Sequence, residues 1–209
     1  MHDRFCRRIA LATQALVMAV DYRLAPWHKY PTPLEDCYDV VLWAAAPAAK
    51  LRADEHQLIV MGDSAGGNLA AGVCLMARDQ AGPSILRQVL LYPAVDGTLS
   101  YPSHQRYANA PLLSQEAIHF YRDRYRQVPQ DIHDPYFSPL LAPDLSNLPP
   151  ALILTAKYDP LRDEGAAFAQ RLATHSAVVY RDYAGMVHGF MSLSPLLFEG
   201  GGGLCPGGR

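Results

Sequence analysis

Five consecutive residues, Gly62-Asp63-Ser64-Ala65-Gly66, fit the pattern G-x-S-x-G. The apolar stretch Leu58–Met61 runs straight into them, and the small-residue-rich stretch Ala65–Arg78 runs out. Strand, sharp turn and helix in that order make the setting in which a serine hydroxyl is pushed out above a sheet. Side chains at the flanking positions are predicted to collide with strand and helix, which accounts for Gly62 and Gly66. The turn also opens a helix, so the backbone N–H of Ala65 is predicted to face a developing oxyanion. The plain alternative is a glycine-rich helix start capped by a serine, and the strand immediately before it favours the elbow.

A serine hydroxyl is a poor nucleophile without a base, and the base needs a carboxylate to orient it. On a serine elbow of this type the chain order is Ser, acid, His, with acid and His on loops after later strands. After the apolar stretch Ala151–Ala156 comes Tyr158-Asp159-Pro160-Leu161-Arg162-Asp163-Glu164, and after Ala177–Tyr180 comes Gly185-Met186-Val187-His188-Gly189-Phe190. Asp159 and His188 are the predicted partners of Ser64. Asp163 and Glu164 stand second as the acid and are read as first-turn helix residues, where a carboxylate meets the helix dipole. His2, His56, His104, His119, His133 and His175 sit in polar or helical settings without a carboxylate-and-serine context. His28 lies in a proline-flanked loop and is read as structural.

These residues need a scaffold, and helical and strand signals alternate along the chain. Asp3–Thr13 reads as an amphipathic helix with Phe5, Ile9 and Ala12 on one side. Ala15–Val20 reads as a strand buried on both faces. A helix over Leu34–Ala46 follows Pro33, with Glu35 and Asp36 in its first turn. Strands over Leu58–Met61, Ile85–Tyr92, Ala151–Ala156 and Ala177–Tyr180 alternate with helices over Ala65–Arg78 and Arg162–Thr174, which predicts a mostly parallel sheet. From Gly97 to Leu141 the rhythm breaks. That stretch holds a helix over Gln115–Arg126, with Ser114 as its N-cap, and reads as an insertion. The end, Glu199–Arg209, is glycine-rich and is expected to be flexible.

Composition narrows the field. The 209 residues are 50 % hydrophobic and 18 % charged, which suits one domain with an insertion. A net charge of −2 gives no basic excess for binding nucleic acid. Cys6, Cys37, Cys74 and Cys205 form no CxxC pair, so a zinc ribbon is excluded, and a reducing, cytoplasmic setting is expected. No apolar run approaches the ~20 residues of a membrane span. No GK[ST] follows the glycine turn, which excludes a phosphate loop.

Several motifs together resemble the hormone-sensitive-lipase-like esterases of the α/β-hydrolase superfamily. They are GDSAGGNLA at 62–70, VDYRLAP at 20–26, HKYPTPLEDCYDVVLW at 28–43, DPLRDEG at 159–165 and HGF at 188–190. The resemblance implies an α/β-hydrolase domain over 1–198, its mostly parallel sheet flanked by helices. It implies a helical cap at about 97–141 and leaves 199–209 as a tail. The implied activity is a serine carboxylic-ester hydrolase of the short-acyl esterase or lipase type, acting through an acyl-enzyme. It would need no metal and no cofactor. Ser64 is the implied nucleophile, Asp159 the orienting acid and His188 the base, with Gly62, Asp63 and Gly66 building the elbow. The implied partner is a small-molecule ester, and a homo-oligomer is left open. Two other readings stay in view: an amidase or peptidase, and a non-catalytic ligand-binding module like the plant hormone receptors on this scaffold. Those receptors lack the histidine that His188 supplies here.

Two departures stand out. Trp27 replaces an acidic residue in the family pattern YRLAPEH, for which a local packing change is expected. The family's HGGG oxyanion loop and early strands have no counterpart in the sequence. The chain is therefore expected to be a piece of an esterase with a gap in mid-sheet, nearly inactive and poorly soluble alone.

Overall fold

The computed structural model describes residues 2–46, 51 and 53–192. The described residues fall into two compact units, one of residues 2–19 with 189–192 and one of residues 20–188.

The first unit carries helix α1 (Asp3–Thr13), which matches the predicted span. Phe5 and Ile9 are half-buried, but Ala12 is exposed. Arg7 grips Asp3 one turn away, Nε to Oδ2 2.9 Å.

The second unit is built on four parallel strands in the order β1 (Ile59–Asp63), β2 (Arg87–Leu91), β3 (Ala151–Tyr158) and β4 (Val178–Val187). Gly62 pairs with Leu90, and Leu90 pairs with Ile153. Helices α2 (Thr32–Ala45), α3 (Ala65–Asp79) and α6 (Arg162–Leu172) join the inward residues of these strands in one core. The reasons are legible locally. In α2 a proline opens the first turn, and Leu34, Tyr38 and Val41 recur at helical spacing to give one buried face. In α3 every residue from Gly67 to Ala77 is buried, and small residues let it lie close to its neighbours. In α6 Phe168 and Leu172 are fully buried.

Between β2 and β3 the chain makes a long excursion. It contains α4 (Pro102–Arg106), α5 (Gln115–Tyr125) and two 3-10 turns, Pro129–His133 and Pro139–Leu141. Ser114 caps α5 as predicted, its Oγ accepting the Ala117 N–H at 3.1 Å.

Three expectations are corrected. Residues 14–24 form neither helix nor strand, and most of Ala15–Val20 is exposed. An apolar run becomes a strand only beside a ladder partner, and β1, nearest in sequence, pairs only with β2 among the described residues. Strand β1, read from a wholly apolar stretch, is buried on one face only. Val60 points into the core, while Ile59 and Met61 on the other face stay 49 % and 39 % exposed. Trp27 is 84 % exposed, so the substitution at that position changes little packing. The predicted tail, 199–209, lies outside the described residues.

Candidate active site

Ser64 sits between the last residue of β1 and the first of α3 with φ 55° and ψ −118°. That conformation is disfavoured for any residue with a Cβ and costs on the order of 1–3 kcal/mol. It persists because both sides are tied. The Ser64 N–H donates to the Leu91 carbonyl at 2.9 Å, and its own carbonyl accepts from Asn68 at 3.1 Å and Ala94 at 3.3 Å. A Cβ on Gly62 would lie 2.0 Å from the Gly66 oxygen, so glycine is obligatory there. Gly66 differs from expectation: a Cβ there would meet nothing nearer than Asp63 Oδ1 at 3.9 Å. Its backbone, rather than any missing side chain, is what crowds Gly62. The second crowded position is Gly67, where a Cβ would come 2.8 Å from Pro93.

Asp159 follows β3 directly and His188 follows β4 directly. Between them the β3–β4 register shifts, from Ala156 opposite Tyr183 to Tyr158 opposite Val187. His188 Nε2 lies 2.9 Å from Ser64 Oγ, and Nδ1 lies 2.8 Å from Asp159 Oδ2. One tautomer satisfies both contacts: the serine hydroxyl donates to Nε2 and the Nδ1–H donates to the carboxylate. Asp159 is fully buried, its other oxygen accepting the Leu161 N–H at 2.9 Å. The Tyr92 ring meets the His188 ring edge to face at 4.9 Å. Ala65 opens α3 and is exposed, with its N–H in the first turn.

The three residues chosen from chain order therefore meet, and the two second-choice acids do not join them. Asp163 accepts from Arg162 Nη1 at 2.8 Å. Glu164 is fully buried, one oxygen accepting N–H groups from Val95 at 2.6 Å and Asp96 at 3.1 Å, the other 2.7 Å from His104 Nε2. Burial pushes the Glu164 carboxyl above its ordinary range, against the hydrogen bonds that favour its anion. Glu164 is indeed in the first turn of α6. His104, read as lacking a carboxylate-and-serine context, does have a carboxylate against it, Glu164, brought there from 60 residues on in the chain. Asn68 was also missed. Its side-chain N–H groups donate to the carbonyls of Ala94 and Phe137. Among the described residues no three His, Cys, Asp or Glu side chains gather as a metal site would require.

An alpha/beta hydrolase fold family model matches residues 1–192. The chain belongs to that family. This alpha/beta hydrolase is 43 % identical over 199 residues to carboxylesterase NlhH of Mycobacterium tuberculosis, covering 92 % of this chain and 62 % of that protein. It is 39 % identical to an ethyl acetate hydrolase of Pseudomonas putida, covering 97 % of this chain and 64 % of that one. Among solved structures, a hyperthermophilic esterase from the archaeon Pyrobaculum calidifontis superposes with a TM-score of 0.91 at 47 % identity, covering 95 % of this chain and 66 % of that one. The chain spans less than two thirds of the length of these curated relatives. The resemblance to the hormone-sensitive-lipase-like esterases drawn from the motifs is borne out by these matches.

Proposed function

We propose that this alpha/beta hydrolase is a serine carboxylic-ester hydrolase working through an acyl-enzyme. The single observation that carries the reading is the hydrogen-bonded line Ser64 Oγ, His188, Asp159, with its two contacts of 2.9 and 2.8 Å. Ser64 Oγ attacks the ester carbonyl carbon while His188 Nε2 accepts the hydroxyl proton. Asp159 holds the Nδ1–H and stabilises the imidazolium that forms. The oxyanion of the tetrahedral intermediate accepts the Ala65 N–H at the start of α3, where the helix dipole favours negative charge. His188 then protonates the departing alcohol. A water enters, gives its proton to His188 and releases the acid.

The relatives named for esterase activity support an ester over an amide, and an intact base in His188 weighs against a purely binding role. The excursion over 97–141 is proposed as the cap. Leu113 and Ile118 from it pack with Leu161 of the acid loop and with Ala94 beside the elbow. The substrate is accordingly a small-molecule ester. No described helix is long and apolar enough to cross a membrane. Free thiols at Cys37 and Cys74 fit a reducing compartment.

The test is labelling with a fluorophosphonate probe, which phosphonylates an activated serine. Labelling at Ser64 that vanishes in Ser64→Ala and His188→Ala is expected. An unlabelled chain, or a label retained by Ser64→Ala, would overturn the reading.

A further inference from the structure

The proposed acid lies on a very short connection. Only Pro160 and Leu161 separate Asp159 from α6, so whatever holds the first turn of α6 also holds the carboxylate. That turn is gripped from three directions. Arg162 Nε reaches Asp182 Oδ2 of β4 at 2.9 Å. Ser103 of α4 donates its hydroxyl to the Pro160 carbonyl at 2.6 Å and accepts the Asp163 N–H at 3.2 Å. Glu164 takes the third direction. Its Oε2 lies against His104, the neighbour of Ser103 in α4, and its Oε1 takes the Val95 and Asp96 N–H groups. The residue before Val95 is Ala94, whose N–H donates to the Ser64 carbonyl. One carboxylate thus joins the acid loop, the segment touching the elbow, and the excursion.

We propose that Glu164 and His104 are a positioning pair, fastening α4 and the loop after β2 to the first turn of α6 so that Asp159 stays directed at His188. This rests on the triad reading above. Neither side chain touches the reacting atoms. Both residues are fully buried, so the contact is shielded from water and salt. A well-packed apolar pair would fill the same space without the desolvation penalty of two polar groups. It would not supply the direction that Oε1 gives the Val95 and Asp96 amides, or that Oε2 gives α4. His104 Nδ1 is buried with no hydrogen-bond partner among the described residues, so the Nε2–H to Oε2 bond is the ring's one directional contact.

The experiment compares His104→Leu with His104→Gln in the full chain. Glutamine sets an amide N–H where the imidazole Nε2–H lies, and leucine fills space without a donor. Two readouts follow the acid rather than the fold: the far-downfield proton resonance of the His188 Nδ1–H, assigned by its loss in His188→Gln, and the rate of fluorophosphonate labelling at Ser64. His104→Leu is expected to broaden or abolish the resonance and slow labelling by about 10- to 100-fold, the scale of a small misplacement of a reacting group. His104→Gln is expected to recover most of both. The proposal is overturned if His104→Leu lowers only the melting temperature, or if glutamine does no better than leucine. Should His104→Leu fail to fold, Glu164→Gln keeps the side-chain volume and one acceptor oxygen, and is expected to weaken the same two signals. Unchanged signals in it would overturn the proposal. A wild-type chain that shows the resonance but takes no label would sink the triad reading alone, with the resonance still deciding the pair. Absence of the resonance in the wild-type chain would overturn both.

Discussion

At the scale of single residues, the proposed mechanism makes three side chains one device. Under it Ser64 has no activated form without the His188 ring 2.9 Å away, and Asp159, 2.8 Å from Nδ1, aims that ring. Removing Ser64 or His188 should therefore each abolish whatever hydrolysis of short p-nitrophenyl esters the chain shows, and the double variant should be scarcely worse. Additive losses in steady-state kinetics would argue against a shared mechanism. Asp159→Asn leaves both other residues in place and disturbs the imidazole tautomer, for which about 10⁴-fold is the expected loss. Asp163→Asn exchanges only the partly exposed contact to Arg162, worth little, and should leave kcat nearly unchanged. If Asp163→Asn proved the more damaging of the two, the acid would be misassigned. These residues were legible in the sequence because a serine elbow fixes its own local surroundings and chain order does the rest. His104 and Glu164 were not, since their 60-residue separation carries no period and only the packing of the excursion brings them together.

At the scale of elements, the longer helices were read to within a residue or two because apolar spacing and caps are local signals, while the five-residue α4 is too short to show a period and was not expected. The strands were harder. The run over Ala177–Tyr180 was expected to be short, yet β4 continues to Val187. Arg181, Asp182 and Tyr183 look like a loop in sequence. On a strand paired, among the described residues, only with β3 their outward side chains reach solvent, while Arg162 pairs with Asp182 from α6. Ala15–Val20 failed in the opposite sense, because strand propensity acts only through a neighbour. One contact ties an irregular segment to a regular one. Arg23 reaches Asp36 of α2, Nη2 to Oδ1 2.6 Å, and its backbone N–H meets Oδ2 at 2.9 Å. The side-chain hydrogen bond from Arg23 holds the Asp36 carboxyl below its ordinary value of 3.8. A depressed folded value contributes stability that is full above the unfolded value and lost as the pH falls through the folded one. Arg23→Gln should therefore unfold at lower urea than the wild type near neutral pH, with the two midpoints converging on acidification below the ordinary carboxylate range. A gap that persisted in acid would mean that Arg23 acts through packing instead.

At the scale of the whole molecule, the balance between charge and exposed apolar surface decides how the chain behaves in solution. The net charge of −2 with a pI near 6.4 gives little mutual repulsion near neutral pH. Meanwhile Trp27, Leu24 and Trp43 are 84 %, 59 % and 55 % exposed, and the outer face of β1 presents Ile59 and Met61. Among the described residues β1 pairs on one side only, so its free edge offers backbone N–H and carbonyl groups beside an apolar face. Such an edge templates pairing with another copy, and charged side chains on it are how folded proteins prevent that. Ile59→Lys should accordingly raise the soluble fraction of the 209-residue chain and lower its light scattering on concentration. Val60 keeps its place in the core, and the elbow begins beyond Met61, so fluorophosphonate labelling per folded molecule should not change. If scattering stayed the same, association would arise from the exposed tryptophans, and Trp27→Gln should then relieve it. If labelling fell with Ile59→Lys, the outer face of β1 would be coupled to the Ser64 turn through the strand itself.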